Sequence, residues 1–163
     1  LSIEAESSGE LLEASDVTPT AGPLQCTIVL MGAYGGRFDQ EMAAVSSMFR
    51  WLHVFDRLVL VGSNAVSFLL QPGFRHRIRP VDSLHLRQQP GRAFAKEGPT
   101  CGLIPIGGRV ESLTSGGLEW DMHSAALQLG VLVSSSNSIL PGTEEVTVQT
   151  SDIVLWTVQL HVL

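Results

Sequence analysis

One strand–loop–helix–strand unit near the N-terminus limits what this chain can fold into. Thr27-Ile28-Val29-Leu30-Met31 is an aliphatic, β-branched run of the kind that forms a buried strand. Gly32-Ala33-Tyr34-Gly35-Gly36-Arg37-Phe38-Asp39-Gln40 follows at once. Beyond it Phe38, Met42, Val45, Phe49 and Leu52 recur at spacings of four and three, one apolar face of a helix. Arg57 to Val61 then reads as a second buried strand. Two strands and one helix cannot bury both faces of a parallel sheet, so other elements must pack against this unit.

The texture changes after Gly62. Val66 to Leu70, a turn at Pro72-Gly73 and Phe74 to Val81 read as a hairpin, and residues 82 to 99 as a long polar loop. Short apolar segments then recur: Cys101 to Ile106, Val110 to Leu113, Leu129 to Val133, Val146 to Val148 and Ile153 to Val162. Gly107-Gly108, Gly116-Gly117 and Pro141-Gly142 punctuate them. Regular short strands with glycine turns predict an antiparallel sandwich or barrel. Residues 1 to 24 carry Glu4, Glu6, Glu10, Glu13 and Asp16 without sustained periodicity, and read as an acidic flexible tail or linker.

Composition excludes several classes. Hydrophobic residues at 44% and charged residues at 16% suit a globular protein. A net charge of -6 argues against a nucleic-acid surface, although Arg75, Arg77, Arg79, Arg87, Arg92 and Lys96 bunch in the middle third, where a solvated face is expected. No apolar stretch approaches the roughly 20 residues that span a bilayer. Cys26 and Cys101 make neither metal spacing nor a disulfide framework and read as buried thiols in a reducing compartment. The chain opens on Leu1 and an acidic run rather than a signal sequence, as a fragment or the ordered part of something longer would.

Two segments carry candidate chemistry. The glycine loop lies between a strand and a helix N-terminus, where backbone N–H groups and the helix dipole can hold an anion. Arg37 would meet phosphate as a bidentate donor, while Asp39 and Gln40 orient a hydroxyl, a metal-bound water or a base. A plain structural turn fits the bare glycines equally well, since neither a Walker A pattern nor a dinucleotide fingerprint is complete. Val133-Ser134-Ser135-Ser136-Asn137-Ser138 is either a turn stabilised by its own side chains or a polar shelf for a heteroaromatic ligand. Trp51, Trp120 and Trp156 read as core or sheet-face residues, and the five histidines as surface or structural.

In this order the pieces resemble thiamin pyrophosphokinase, the enzyme that moves a pyrophosphoryl group from ATP to thiamin. Gly35-Gly36-Arg37-Phe38-Asp39-Gln40 is similar to the family's Gly-Gly-Arg-Phe-Asp-His/Gln signature. Leu69 to Gly73, Cys101 to Gly107, Thr114 to Trp120, Leu132 to Ser138 and Leu155-Trp156-Thr157 resemble segments of its animal-type members. The resemblance implies an α/β remnant, strand-helix-strand, over residues 25–63, followed by an antiparallel β-sandwich that binds thiamin over 64–163. It implies Arg37 and Asp39 as catalytic residues, and Gly35, Gly36, Gln40, Ser134, Ser136 and Asn137 as contacts to substrate or nucleotide. It also implies ATP as co-substrate, Mg²⁺, a cytoplasmic homodimer with clefts between subunits, and no nucleic-acid or membrane partner. Family members hold Mg²⁺ with acidic motifs ahead of the glycine signature, and the carboxylates ahead of Thr27 match neither pattern. The Mg²⁺ ligands are therefore expected outside this chain. The alternative expectations are a non-catalytic thiamin-binding or dimerisation module, and a structural sandwich.

Overall fold

The computed structural model describes residues 2–7, 24–80 and 95–162. Strand β2 (Leu24–Met31), helix α1 (Phe38–Arg50) and strand β3 (Phe55–Val61) form the expected unit, with β2 and β3 parallel and Ile28 opposite Leu58. Val45 and Met48 bury the inner helix face, whereas Phe38, expected on that face, is exposed at the first turn. The strand β2 is not buried as its composition suggests. It is an edge strand with Val29 and Met31 exposed, because only β3 pairs with it among the described strands.

The remaining strands are β4 (Ala65–Leu70), β5 (Phe74–Arg79), β6 (Ala95–Ile104), β7 (Val110–Gly116), β8 (Ala125–Leu127), β9 (Ser134–Ser138), β10 (Val146–Thr150) and β11 (Val154–Val162). Together with β1 (Ser2–Ser7) they make two sheets. One has the order β1-β5-β10-β7-β8 and the other β2-β3-β4-β11-β6-β9. The α/β unit is thus continued by the sandwich, since β3 pairs antiparallel with β4 and places Leu60 opposite Ser67. Alternate residues of the central strands point inward and fill the space between the layers. Trp156 of β11, Phe68 of β4 and Leu103 of β6 are fully buried there, with Leu113 and Val148 from the other sheet.

Four sequence expectations need correction. The strands on either side of Pro72-Gly73 exist but do not form a hairpin. β4 pairs with β3 and β11, while β5 pairs with β1 and β10, so the turn is a corner that carries the chain between sheets. Apolar patterning locates strands but not their partners. The strand expected over 129–133 is instead a tight turn closed by Gln128 and Leu132, with Leu129 and Val131 exposed. The loop expected over 82–99 gives way to β6 from Ala95, and residues 81–94 lie outside the described set. Within the acidic segment, Ser2–Ser7 forms a strand against β5, and residues 8–23 lie outside the described set.

The corner is held by His76, which is 6% exposed. Its Nε2 lies 2.7 Å from the Gln71 carbonyl oxygen, and because a carbonyl can only accept, that nitrogen carries the proton. Burial lowers the His76 pKa below its ordinary 6.5; the Gln71 hydrogen bond opposes the shift and the Arg57 charge reinforces it. The unfolded chain therefore binds more protons than the folded one below about pH 6.5. The stability due to neutral His76 is present above that value and lost as pH falls toward the folded pKa. The urea midpoint is expected to drop between roughly pH 7.5 and 5.5, and the drop should shrink in His76→Gln.

Candidate functional site

The glycine loop joins β2 to the N-terminus of α1, as its position requires. Gly35 has φ +99, and a side chain there would also lie 3.2 Å from Ser63 Oγ. In this conformation the amides of Gly35 and Gly36 converge on one acceptor, donating to Glu41 Oε1 at 2.9 and 3.2 Å. The loop is thus an anion nest, filled by the chain's own carboxylate from the first turn of the helix. The helix dipole favours that placement. Glu41 was missed in the sequence, although an acidic residue in a helix's first turn is the ordinary signal for such a cap.

Arg37 occupies the N-cap position without a side-chain cap bond. Its guanidinium donates through Nε to Asp39 Oδ1 at 3.1 Å and through Nη2 to Asp39 Oδ2 at 2.7 Å. The two side chains are 77% and 60% exposed. An exposed pair of this kind contributes little, about 0–1 kcal/mol, so an incoming phosphate can take the guanidinium from Asp39. Gln40 is exposed, and its backbone N–H donates to the Arg37 carbonyl.

The turn Gly62-Ser63-Asn64 connects this loop to the outer face of the six-stranded sheet. Tyr34 packs against Gly62, where a side chain would come within 2.5 Å of Tyr34 Cβ. Burial raises the Tyr34 pKa, with the neighbouring Ser67 hydroxyl opposing and Glu41 reinforcing the shift. Ser67 in turn donates to Thr157 Oγ1 at 3.0 Å. Beyond the turn lies a groove of about 370 Å³ lined by Asn64, Thr100, Ser135, Ser136, Thr157 and Gln159. Cys101 also borders it, and burial pushes its thiol up to about 12, which leaves it protonated and unreactive.

The serine segment is not the turn that one reading of its sequence expects. It is the edge strand β9, paired with β6. Ser136, in a left-handed conformation at φ 56, lines the groove; Asn137 lies off it and is 2% exposed. The Asn137 carbonyl accepts from Trp120 N at 3.2 Å and Ser138 N at 2.8 Å, and its amide donates to Trp120 O at 3.0 Å and Ser134 Oγ at 3.2 Å. All four of its hydrogen-bonding positions are used. The effect is to clamp the backbone of Trp120, whose residue is 59% exposed. Asp121 pins the same loop by accepting from Ser115 Oγ, Gly117 N and Leu118 N.

The architecture is a two-sheet β-sandwich with a serine edge strand, joined to a glycine loop at a helix N-terminus. Residues 81–155 match the family described as thiamin pyrophosphokinase, vitamin B1 binding domain. Thiamine pyrophosphokinase 1 of Arabidopsis thaliana is 35% identical over 133 residues, 82% of this chain and 44% of that protein. Thiamine pyrophosphokinase 1 of Oryza sativa subsp. japonica is 35% identical over 134 residues, 82% of this chain and 45% of that protein. The solved thiamin pyrophosphokinase from Candida albicans superposes with a TM-score of 0.70 at 28% identity, covering 91% of this chain and 48% of its own. These matches identify residues 81–155 with the vitamin B1 binding domain of the thiamin pyrophosphokinase family, and the similarity to such proteins extends over most of the chain. It spans under half the length of these relatives.

Two substitutions test the site's construction. Asn137→Ala leaves buried partners unpaired and is expected to lower stability by about 1–3 kcal/mol in urea unfolding. Glu41→Gln keeps an oxygen acceptor for the two glycine amides but removes the charge. Calorimetric binding of inorganic pyrophosphate is expected to tighten roughly two- to fivefold, the 0.3–1 kcal/mol scale of a charge at a helix N-terminus.

Proposed function

We propose that this chain supplies the thiamin-binding part of a thiamin pyrophosphokinase, in which the thiamin hydroxyl attacks the β-phosphorus of ATP and AMP leaves. The observation that carries the reading is the adjacency of the glycine loop to the serine-lined groove through Gly62-Ser63-Asn64. A volume of about 370 Å³ suits a two-ring vitamin, and hydroxyl and amide side chains suit its ring nitrogens. Ser136 lines the groove that receives the ring. Ser134 and Asn137 serve it by holding β9 and Trp120 in place. Gly35 and Gly36 offer their amides to a phosphate oxygen that displaces Glu41. Arg37 leaves Asp39 to pair with the same phosphate, and the freed Asp39, with Gln40, orients the thiamin hydroxyl.

Phosphoryl-type transfer also requires neutralisation of charge, for which Mg²⁺ is the expected ion. Among the described residues no group of three or more His, Cys, Asp or Glu side chains could hold a metal ion, so these residues do not fit Mg²⁺. Its ligands would come from residues other than these. The same observation favours a second reading, a non-catalytic module that binds thiamin or dimerises with a complete subunit. A cytoplasmic homodimer completes the proposal; exposed Trp120 and Leu140 offer apolar surface for a partner subunit. No helix of the described residues is long and apolar enough to cross a membrane.

Calorimetry with thiamin is expected to give saturable heat, and absence of it sinks the enzyme and the thiamin-binding module, leaving only dimerisation. Arg37→Ala should weaken ATP binding at least about tenfold while leaving thiamin binding and the circular dichroism spectrum unchanged. Unaltered ATP affinity, or loss of the fold, removes the role given to Arg37. Release of AMP from ATP, Mg²⁺ and thiamin separates the enzyme from the binding module.

A further inference from the structure

At the end of α1 away from the glycine loop, helix and both sheets enclose a second cavity, of about 270 Å³. The helix C-terminus contributes Met48 and Trp51, β3 contributes Phe55 and Arg57, and β5 contributes Phe74 and His76. Trp51 and Phe55 stand 6.0 Å apart between ring centroids, and Phe74 and His76 6.1 Å. Aromatic rings thus form part of a mixed wall, with faces and edges available to another ring.

Arg57 is the unexplained group. It is half-buried, and burial disfavours its charge, yet it makes no hydrogen bond or ion pair with any described residue. The charged and titratable groups around it do not satisfy it. Asp56 also lines the cavity and its charge favours the guanidinium, but it is exposed and forms no ion pair with it. His76 is held neutral and spends its Nε2 proton on the Gln71 carbonyl. Arg50 lies over Trp51, 5.7 Å from the ring centroid. A partly desolvated guanidinium without a fixed acceptor is costly, and a planar carboxylate matches its fork with two parallel hydrogen bonds.

We propose that this cavity is a binding site for a small aromatic carboxylate, with the ring among Trp51, Phe55 and Phe74 and the carboxylate on Arg57. The volume equals about nine waters at ~30 Å³ each, enough for a one-ring acid. A phosphate fits the aromatic part of the wall poorly, because oxygens placed there would lose water without gaining a donor. This site shares no lining residue with the serine groove, so it stands or falls independently of the thiamin reading.

Benzoate is the probe. Calorimetry and amide chemical-shift titration of the full chain are expected to give one saturable site with Kd below about 1 mM. Benzamide, the neutral analogue, should bind at least about tenfold more weakly, and so should acetate, which lacks the ring. Arg57→Gln should lose a similar factor, and Arg57→Lys should fall between, keeping charge without the fork. If Arg57→Gln does not fold, Arg57→Lys and the benzoate–benzamide comparison on the unaltered chain still decide. No saturation up to roughly 10 mM benzoate, equal affinity for benzamide, or unchanged affinity in the folded Arg57 variants overturns the proposal.

Discussion

A methyl group at Gly62 would sit 2.5 Å from Tyr34 Cβ and 3.2 Å from Tyr34 Cα, so the chain can pass here only as bare backbone. Several features depend on that passage. Gly62 N donates to Ala65 O at 2.8 Å and closes the turn from β3 into β4. Val61 O accepts from Ala33 N at 3.1 Å and draws the glycine loop onto the same corner. The β3–β4 ladder then makes one sheet of the α/β unit and the sandwich. Without the close contact, the glycine loop would not be held against the turn that leads to the groove.

The loop's charges are arranged to satisfy each other. Glu41 answers the glycine amides and Asp39 answers Arg37, both in solvent-exposed contacts. Neither pairing stabilises the fold much, since exposed pairs are screened and entropically weak. Each fixes geometry: two amides stay convergent and a guanidinium stays near the helix start. A phosphate bound as proposed would replace a carboxylate partner instead of ordering a loose loop.

The fold was largely legible in the sequence, and its pairing was not. The period of Met42, Val45 and Phe49 located α1, and glycine punctuation located most strands, because both signals are local. The corner at Pro72-Gly73 reads the same whether β5 folds back on β4 or crosses to the other sheet. The choice is made by β10, over 65 residues away, which pairs with β5 from Val146 to Gln149. Leu129 to Val133 misled for a related reason. Its apolar side chains suggest burial, but Gly130 at φ +84 turns them into solvent. The sequence singles out Gly35 to Gln40 by residue type, and the structure places them at the start of α1. The bonds between them, the role of Glu41 and the clamp of Asn137 on Trp120 arise from three-dimensional proximity that no spacing encodes.

The two edges of the six-stranded sheet differ in chemistry, and this bears on how the chain behaves at high concentration. At one edge β9 presents Ser134 to Ser138, short polar side chains that remain solvated and compete locally for backbone groups. At the other, β2 presents Thr27 to Met31, an uncharged β-branched stretch without proline, with Val29 52% and Met31 75% exposed. Such an edge is a template for strand addition, and proteins normally blunt it with charge, proline or cover. Among the described strands, β2 is therefore the edge most open to strand addition, at the opposite side of the sheet from the serines.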